Sequence, residues 1–378
     1  MSLRRIVPVG FLAAALVVVG APAASATTGA EGKPSVTVIA KRLDNPRGIA
    51  VGWHGQLYVA EAGKGGAGPC VSSPEDPEAQ VCLGLSGAVT ALSPHHRGKW
   101  KQKRVVKGLP SVAETDGSFA LGLHDIAPVH PGFLLGTIGL GGTPEVRASL
   151  GPNARLLGHL VGMRLKRHGS DVKPIADLAA YEAANNPVGE IDSNPYGLLA
   201  TPFGAYATDA GGNDLLRVDK RGNISTVAIF PDRPVTVPNL PPDFPMQAVP
   251  TTVTRGPDGA LYVGQLTGFP FPVGAANVYR IVPGQQPEVF LSGFTNIIDI
   301  AFDRWGRLLV LQITKNGITS GDPTGALIRV DLKSGQRTEL AAGKLTFPGG
   351  VAIGHDGSIY VTNKSVLPGA GEVLRIRA

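Results

Sequence analysis

Asp125 and Asp299 are the residues whose type and placement most suggest chemistry. Each stands seven positions before a glycine, Gly132 or Gly306, and directly before an isoleucine. Four other stretches share that spacing but carry Gly48, Gly197, Thr252 or Gly350 where the aspartates stand. Two carboxylates at one register of a repeat can face each other, and with further oxygen donors they would hold a hard cation such as Ca2+. Glu61, His124, Asn194, Tyr196 and Asn296 fall close enough in register to line the same mouth. His124 is the histidine that lies beside a carboxylate at this register, which makes it the candidate general base. The competing role for both aspartates is to accept hydrogen bonds from neighbouring backbone amides.

A second polar set recurs twelve or thirteen residues after that register in each unit: Glu61, Thr137, Asp209, Gln265, Gln312 and Asn363. These side chains would either rim a central channel or cap strand ends by satisfying loop amides. Other catalytic patterns are missing. There is no His-Glu-x-x-His, no Gly-x-Ser-x-Gly and no phosphate loop ending in Gly-Lys-Ser/Thr. The run 63–68, Gly-Lys-Gly-Gly-Ala-Gly, lacks that ending and reads as a flexible loop. The residues therefore favour a binding or scaffold module over an enzyme. The alternative is a calcium-dependent hydrolase such as a lactonase, with Asp125 and Asp299 at the metal. A sugar-oxidising quinoprotein ranks behind both, because no cofactor motif supports it.

The elements that must position these residues follow from the repeat. Residues 45–61, 123–137, 194–209, 250–265, 298–312 and 349–363 align on turn glycines Gly55, Gly132, Gly204, Gly259, Gly306 and Gly357. Each unit reads as strand, tight turn, strand, with glycine accepting the positive φ of the turn. Leu-Tyr-Val, Leu-Leu-Val or Ile-Tyr-Val fills the second strand in four of them. Third strands are expected at 87–92, 159–165, 215–219, 277–282, 327–332 and 372–377, and fourth strands at 103–109, 224–230, 288–293 and 337–342. The pattern predicts an all-β, six-bladed β-propeller with four-stranded blades. After the sixth unit the chain offers only one more strand, so residues 36–41 must complete the last blade and close the ring. In that ring Asp125 and Asp299, three blades apart, stand on opposite sides of the axis. The long connections 61–86, 137–158, 265–275, 312–324 and 363–370 then emerge on one face, and 178–186 reads as a short helix before the third blade.

Composition agrees with this architecture and bounds the setting. With 51 Gly and 32 Pro in 378 residues the chain cannot be long-helical, and 43% hydrophobic residues is too many for disorder. Arg4 and Arg5, an apolar run over 6–20 and Ala24-Ser25-Ala26 give a signal peptide over 1–26, leaving 27–378 as a single propeller domain. The mature chain has no apolar run long enough to span a bilayer. These features predict a secreted or cell-envelope protein, expected to be a monomer. Outside the cytosol Cys70 and Cys82 should form a disulfide. The lysine run at 99–107 reads as a charged outer strand rather than a nucleic-acid surface. The expected partner is a small molecule, glycan or peptide on the loop face.

Three strings also resemble a known family. They are 178–187, Leu-Ala-Ala-Tyr-Glu-Ala-Ala-Asn-Asn-Pro; 192–197, Asp-Ser-Asn-Pro-Tyr-Gly; and 264–276, Gly-Gln-Leu-Thr-Gly-Phe-Pro-Phe-Pro-Val-Gly-Ala-Ala. Together they are similar to the signature of the ScyD/ScyE family, which commonly has Glu where Gln265 stands. The resemblance implies an exported, NHL-like propeller and brings no activity with it.

Overall fold

The computed structural model describes residues 35–73, 79–186 and 190–378, so the expected signal peptide lies outside the described residues. Among the described residues six four-stranded antiparallel sheets form a β-propeller. From the axis outward, blade 1 is Pro46–Val51, Leu57–Glu61, Gln80–Pro94 and Trp100–Glu114, and blade 2 is Leu123–His130, Phe133–Ile138, His159–Leu165 and Ser170–Asp177. Blade 3 is Pro195–Thr201, Gly204–Asp209, Asp214–Asp219 and Ile224–Ile229. Blade 4 is Pro250–Arg255, Leu261–Gln265, Ala276–Ile281 and Glu288–Phe294. Blade 5 is Ile297–Phe302, Leu308–Gln312, Ala326–Val330 and Arg337–Leu340. Blade 6 takes Gly350–Ile353, Ile359–Asn363 and Gly371–Arg377 from one end of the chain and Ser35–Leu43 from the other. Ser35 lies opposite Arg377 and Lys41 opposite Glu372, so the ring closes as the repeat requires.

Two features of the sequence build each blade. The six turn glycines all take positive φ, from 72° at Gly55 to 134° at Gly204, a region open to glycine at little cost. The second strands Leu57–Glu61, Leu261–Gln265, Leu308–Gln312 and Ile359–Asn363 are buried at every residue. A strand covered on both faces cannot alternate apolar with polar, which is why these read as continuous apolar runs. The core lies between blades: Tyr262, Val278 and Phe294 of blade 4 pack with Ile297, Ile300 and Val310 of blade 5.

Blade 1 departs from the plain repeat. Its third and fourth strands run to 15 residues each and carry an extra strand, Cys70–Ser72, as a tab beyond the blade. Cys70 lies opposite Cys82 and the two are disulfide-bonded. The glycine-rich run is not a loose loop. Gly68 donates to the Leu83 carbonyl at 3.0 Å, Lys64 to Ser86 Oγ at 2.9 Å and Gly65 to Ser111 Oγ at 3.0 Å. Backbone packs on backbone here, and a Cβ at Gly84 would fall on the Gly65 carbonyl. Lys101, Lys103 and Lys107 are exposed on the outer strand, as a charged edge should be.

Blade 2 has an outer strand that the repeat does not predict, because Pro174 interrupts its pattern; Pro is tolerated there as an edge residue. The predicted helix forms over Leu178–Asn185, with the Asp177 carboxylate accepting from the Ala180 amide at its start. A hairpin, Arg233–Val235 with Phe244–Met246, lies before blade 4. Among the described residues no helix is long and apolar enough to cross a membrane.

Candidate functional site around the axis

The inner strands bring three large polar side chains together. Arg47, His124 and Tyr196 occupy one register in blades 1, 2 and 3, where blades 4, 5 and 6 carry Thr251, Ile298 and Gly349. The His124 and Tyr196 rings stack with centroids 4.4 Å apart. Tyr196 also packs against the apolar cluster of blades 5 and 6, which includes Ile298, Val351 and Val366, so its ring reaches across the axis. Arg47 is 6% exposed and donates to the Ser365 carbonyl from Nη1 and the Ala120 carbonyl from Nη2, both at 2.9 Å.

His124 is buried, and its Nδ1 lies 3.0 Å from the Pro195 carbonyl. A carbonyl only accepts, so Nδ1 carries the proton and Nε2 keeps a bare lone pair, for which the structure supplies no hydrogen-bond partner. Burial, and then the Arg47 charge, push the imidazole down to about 3, so the ring is neutral. Asn194 Oδ1, also without a partner, lies on the same side of Gly139 as the His124 ring, and the two together leave no room there for a Cβ.

Asp125 and Asp299 do face the axis, but their oxygens are occupied. Asp125 Oδ1 accepts from its neighbour Ile126 N, and Oδ2 accepts from Leu198 N of blade 3, both at 2.8 Å. Asp299 Oδ1 accepts from Ile300 N at 2.8 Å and from Thr252 Oγ1 of blade 4 at 2.7 Å. Its Oδ2 accepts from Val351 N of blade 6 at 2.7 Å. Each carboxylate thus ties its blade to the next. Burial and then the Asp299 charge hold the Asp125 carboxyl well above the usual range. Burial raises Asp299 to about 6 against its three donors. Gly48 is glycine because a Cβ would run into Asp125 Oδ1.

The strand-end set does not converge on the channel. One member sits in each blade, and five of the six bond the backbone where their own blade begins. Glu61 Oε2 accepts from Asp44 N at 2.8 Å, Gln312 Oε1 from Thr295 N at 2.8 Å and Asn363 Oδ1 from Thr346 N at 2.7 Å. Asp209 accepts from Asn194 N and Ser193 Oγ, both at 2.6 Å, and Gln265 Nε2 donates to the Ala248 carbonyl at 3.2 Å. Thr137 instead donates to the Tyr196 carbonyl of blade 3 at 2.5 Å. Asn296 is spent on loops, donating to the Leu266 carbonyl and accepting from Thr314 Oγ1 and Ile318 N, each at 3.0 Å.

Arg47 is the member of this trio that falls outside the residues expected from the sequence. Its signal was present as the column Arg47, His124, Tyr196, large and polar in three successive blades and small or apolar in the other three.

No family model matches the sequence, and no curated protein does either. Solved structures do match. A structural-genomics protein from Bacteroides thetaiotaomicron aligns with TM-score 0.56 at 11% identity, covering 91% of this chain and 76% of its own. The PQQ-bound aldose sugar dehydrogenase of Streptomyces coelicolor aligns with TM-score 0.50 at 13% identity, covering 91% and 99%. A glucose dehydrogenase aligns with TM-score 0.50 at 14% identity, covering 91% and 99%. At such identities the likeness is one of fold: the chain shares the β-propeller architecture of these proteins.

Proposed function

We propose that the chain is an exported propeller of the ScyD/ScyE type that acts as a binding or scaffold module of the cell envelope or extracellular space. The observation that carries this reading is the state of the axial carboxylates. All four oxygens of Asp125 and Asp299 accept hydrogen bonds, and three of the five donors come from adjacent blades. Groups used to hold the ring together are poorly placed to hold a catalytic calcium as well. The lactonase reading, which needs those two aspartates at the metal, is therefore the weaker one.

Binding belongs on the face where the long connections gather. Over blade 4 that face carries an apolar aromatic group. Phe269 is 55% exposed and Val273 65% exposed, and Phe269 makes edge contacts with Phe244 at 5.6 Å and with Phe271 at 6.3 Å. Large apolar side chains held at a surface mark interaction sites in soluble proteins.

The test has two arms. Purified protein of residues 27–378 should not hydrolyse aldonolactones or acyl-homoserine lactones, with or without calcium. It should sediment with isolated cell envelopes of the producing organism, and Phe269→Ser should lower the bound fraction severalfold without changing Tm. Lactone turnover that disappears in Asp125→Asn would overturn the reading, as would envelope binding indifferent to Phe269.

A further inference from the structure

Blade 3 buries more negative charge than its neighbours neutralise. The helix Leu178–Asn185 lays Glu182 over the turn that joins Asp209 to Asp214. A Cβ placed on Gly212, within that turn, would lie 2.9 Å from Glu182 Oε2 and 3.3 Å from Asp209 Cγ. Asp209 and Asp214 are directly opposite each other on adjacent strands, so their side chains share a face. Three carboxylates therefore lie around one turn, at 2% exposure for Glu182, 0% for Asp209 and 2% for Asp214. The Asp192 carboxyl lies at the edge of the same turn, beside Gly211.

The three are not equally provided for. Asp209 accepts from Ser193 Oγ and from the amides of Asn194, Gly211 and Gly212. Glu182 Oε1 and Asp214 Oδ1, in contrast, are buried with no hydrogen-bond partner. Burial raises Glu182 to about 7 and Asp214 well above the usual range, and the charges acting on both are carboxylates. An isolated buried carboxylate is too costly to persist as an ion, so it takes a proton or a cation. In an extracytoplasmic setting with abundant calcium, an all-oxygen set of this kind suits a hard cation.

We infer that Glu182 and Asp214, with Asp209 at their side, form a binding site for a divalent cation, calcium in preference to magnesium. Among the described residues no three Asp, Glu, His or Cys side chains already close on one point. Two carboxylates supply the charge, and water and backbone carbonyl oxygens complete a calcium shell, which tolerates irregular geometry better than magnesium does. The site lies in blade 3, apart from the axial Asp125 and Asp299, and does not depend on the binding role proposed above. Its effect is to fasten the inserted helix to its blade.

Calorimetric titration of the full mature chain with CaCl2 after EDTA treatment tests this, with melting followed in parallel. Binding is expected with Kd of about 10⁻⁴ to 10⁻³ M and a rise in Tm that grows with calcium. Magnesium should bind at least about tenfold more weakly. Glu182→Gln and Asp214→Asn should each abolish the heat and the calcium-dependent rise, while melting no lower than the wild type in EDTA. Asp125→Asn should keep both responses. A wild type showing no heat and no Tm shift up to 10 mM calcium overturns the inference, because the carboxylates are then neutralised by protons. A response that survives Glu182→Gln, or one lost in Asp125→Asn instead, overturns it too. If a variant does not fold, the wild-type titration decides alone.

Discussion

Glu61 of blade 1 and Asp209 of blade 3 stand at the same place in the repeat, both with no exposed surface, and meet opposite electrostatic surroundings. Glu61 accepts from Arg104 Nε at 2.9 Å and Nη2 at 2.5 Å, while Arg104 also reaches Asp44 at 2.8 Å. Those hydrogen bonds hold the guanidinium charged even more firmly than usual. Among the described residues no arginine pairs with Asp209; its charged neighbours are Glu182 and Asp214. Blades 4, 5 and 6 avoid the problem with neutral amides, Gln265, Gln312 and Asn363. What the position demands is a polar side chain that can secure the backbone at the start of the blade. A charged acceptor answers that need only where something else balances it: a guanidinium in blade 1, and backbone donors with a cation in blade 3.

The strongest way to break this comparison is to remove the balancing charge. Arg104→Met keeps the stem and leaves Glu61 buried beside Asp44 with no cation. Removing one partner of a buried pair costs about 3–5 kcal/mol. Because the Arg104 side chain is 36% exposed, a loss of about 3 kcal/mol is expected in urea unfolding. A loss below about 1 kcal/mol, the range of surface pairs, would show that Glu61 needs no counter-charge and that the contrast with blade 3 is empty.

A second test uses blade 2, which stands between these two blades in the ring. His124 lies between Arg47 of blade 1 and the Pro195 carbonyl and Tyr196 ring of blade 3. It is neutral in the fold down to about 3, whereas in the unfolded chain it takes a proton near pH 6.5. Between those values the unfolded state binds more protons, so stability is present above pH 6.5 and falls as the pH drops. From pH 6.5 to 5 wild type should lose about 2 kcal/mol more than His124→Gln, read from urea midpoints at the two pH values. Equal losses would mean that the ring is charged or solvated where it sits.

The ring was legible because its determinants are local. A glycine at positive φ and an apolar second strand recur at fixed spacing, and an unpaired strand at each end of the chain can only meet the other. The departures were not, since each depends on a partner distant in sequence. The tab of blade 1 is built from Gly84, Ser111 and Cys82, none of which signals a strand by type, and Pro174 masks the outer strand of blade 2. The axial aspartates were found at their register, but sequence spacing does not tell a carboxylate that faces a ligand from one that faces an amide of the next blade. Glu182 did leave a trace, as the lone charged residue within Leu-Ala-Ala-Tyr-Glu-Ala-Ala. Asp214 left none, since an aspartate that begins a strand after Gly-Gly-Asn resembles any turn residue.

The smallest expected effect sharpens the comparison most, because its sign is opposite in the two blades. Glu61→Gln keeps an acceptor for the Asp44 amide but gives up a charge that Arg104 needs, so in calcium-free buffer at pH 7.5 it should lose about 1 kcal/mol. Asp214→Asn in the same buffer removes a carboxylate whose Oδ1 has no donor and which feels the charges of two others, so it should gain about 1 kcal/mol. Asparagine and aspartate occupy nearly the same volume, which keeps packing out of the difference. A loss in Asp214→Asn comparable to that in Glu61→Gln would mean that the Asp214 carboxylate has a stabilising partner in the folded state. Blade 3 would then balance its charge internally, just as blade 1 does.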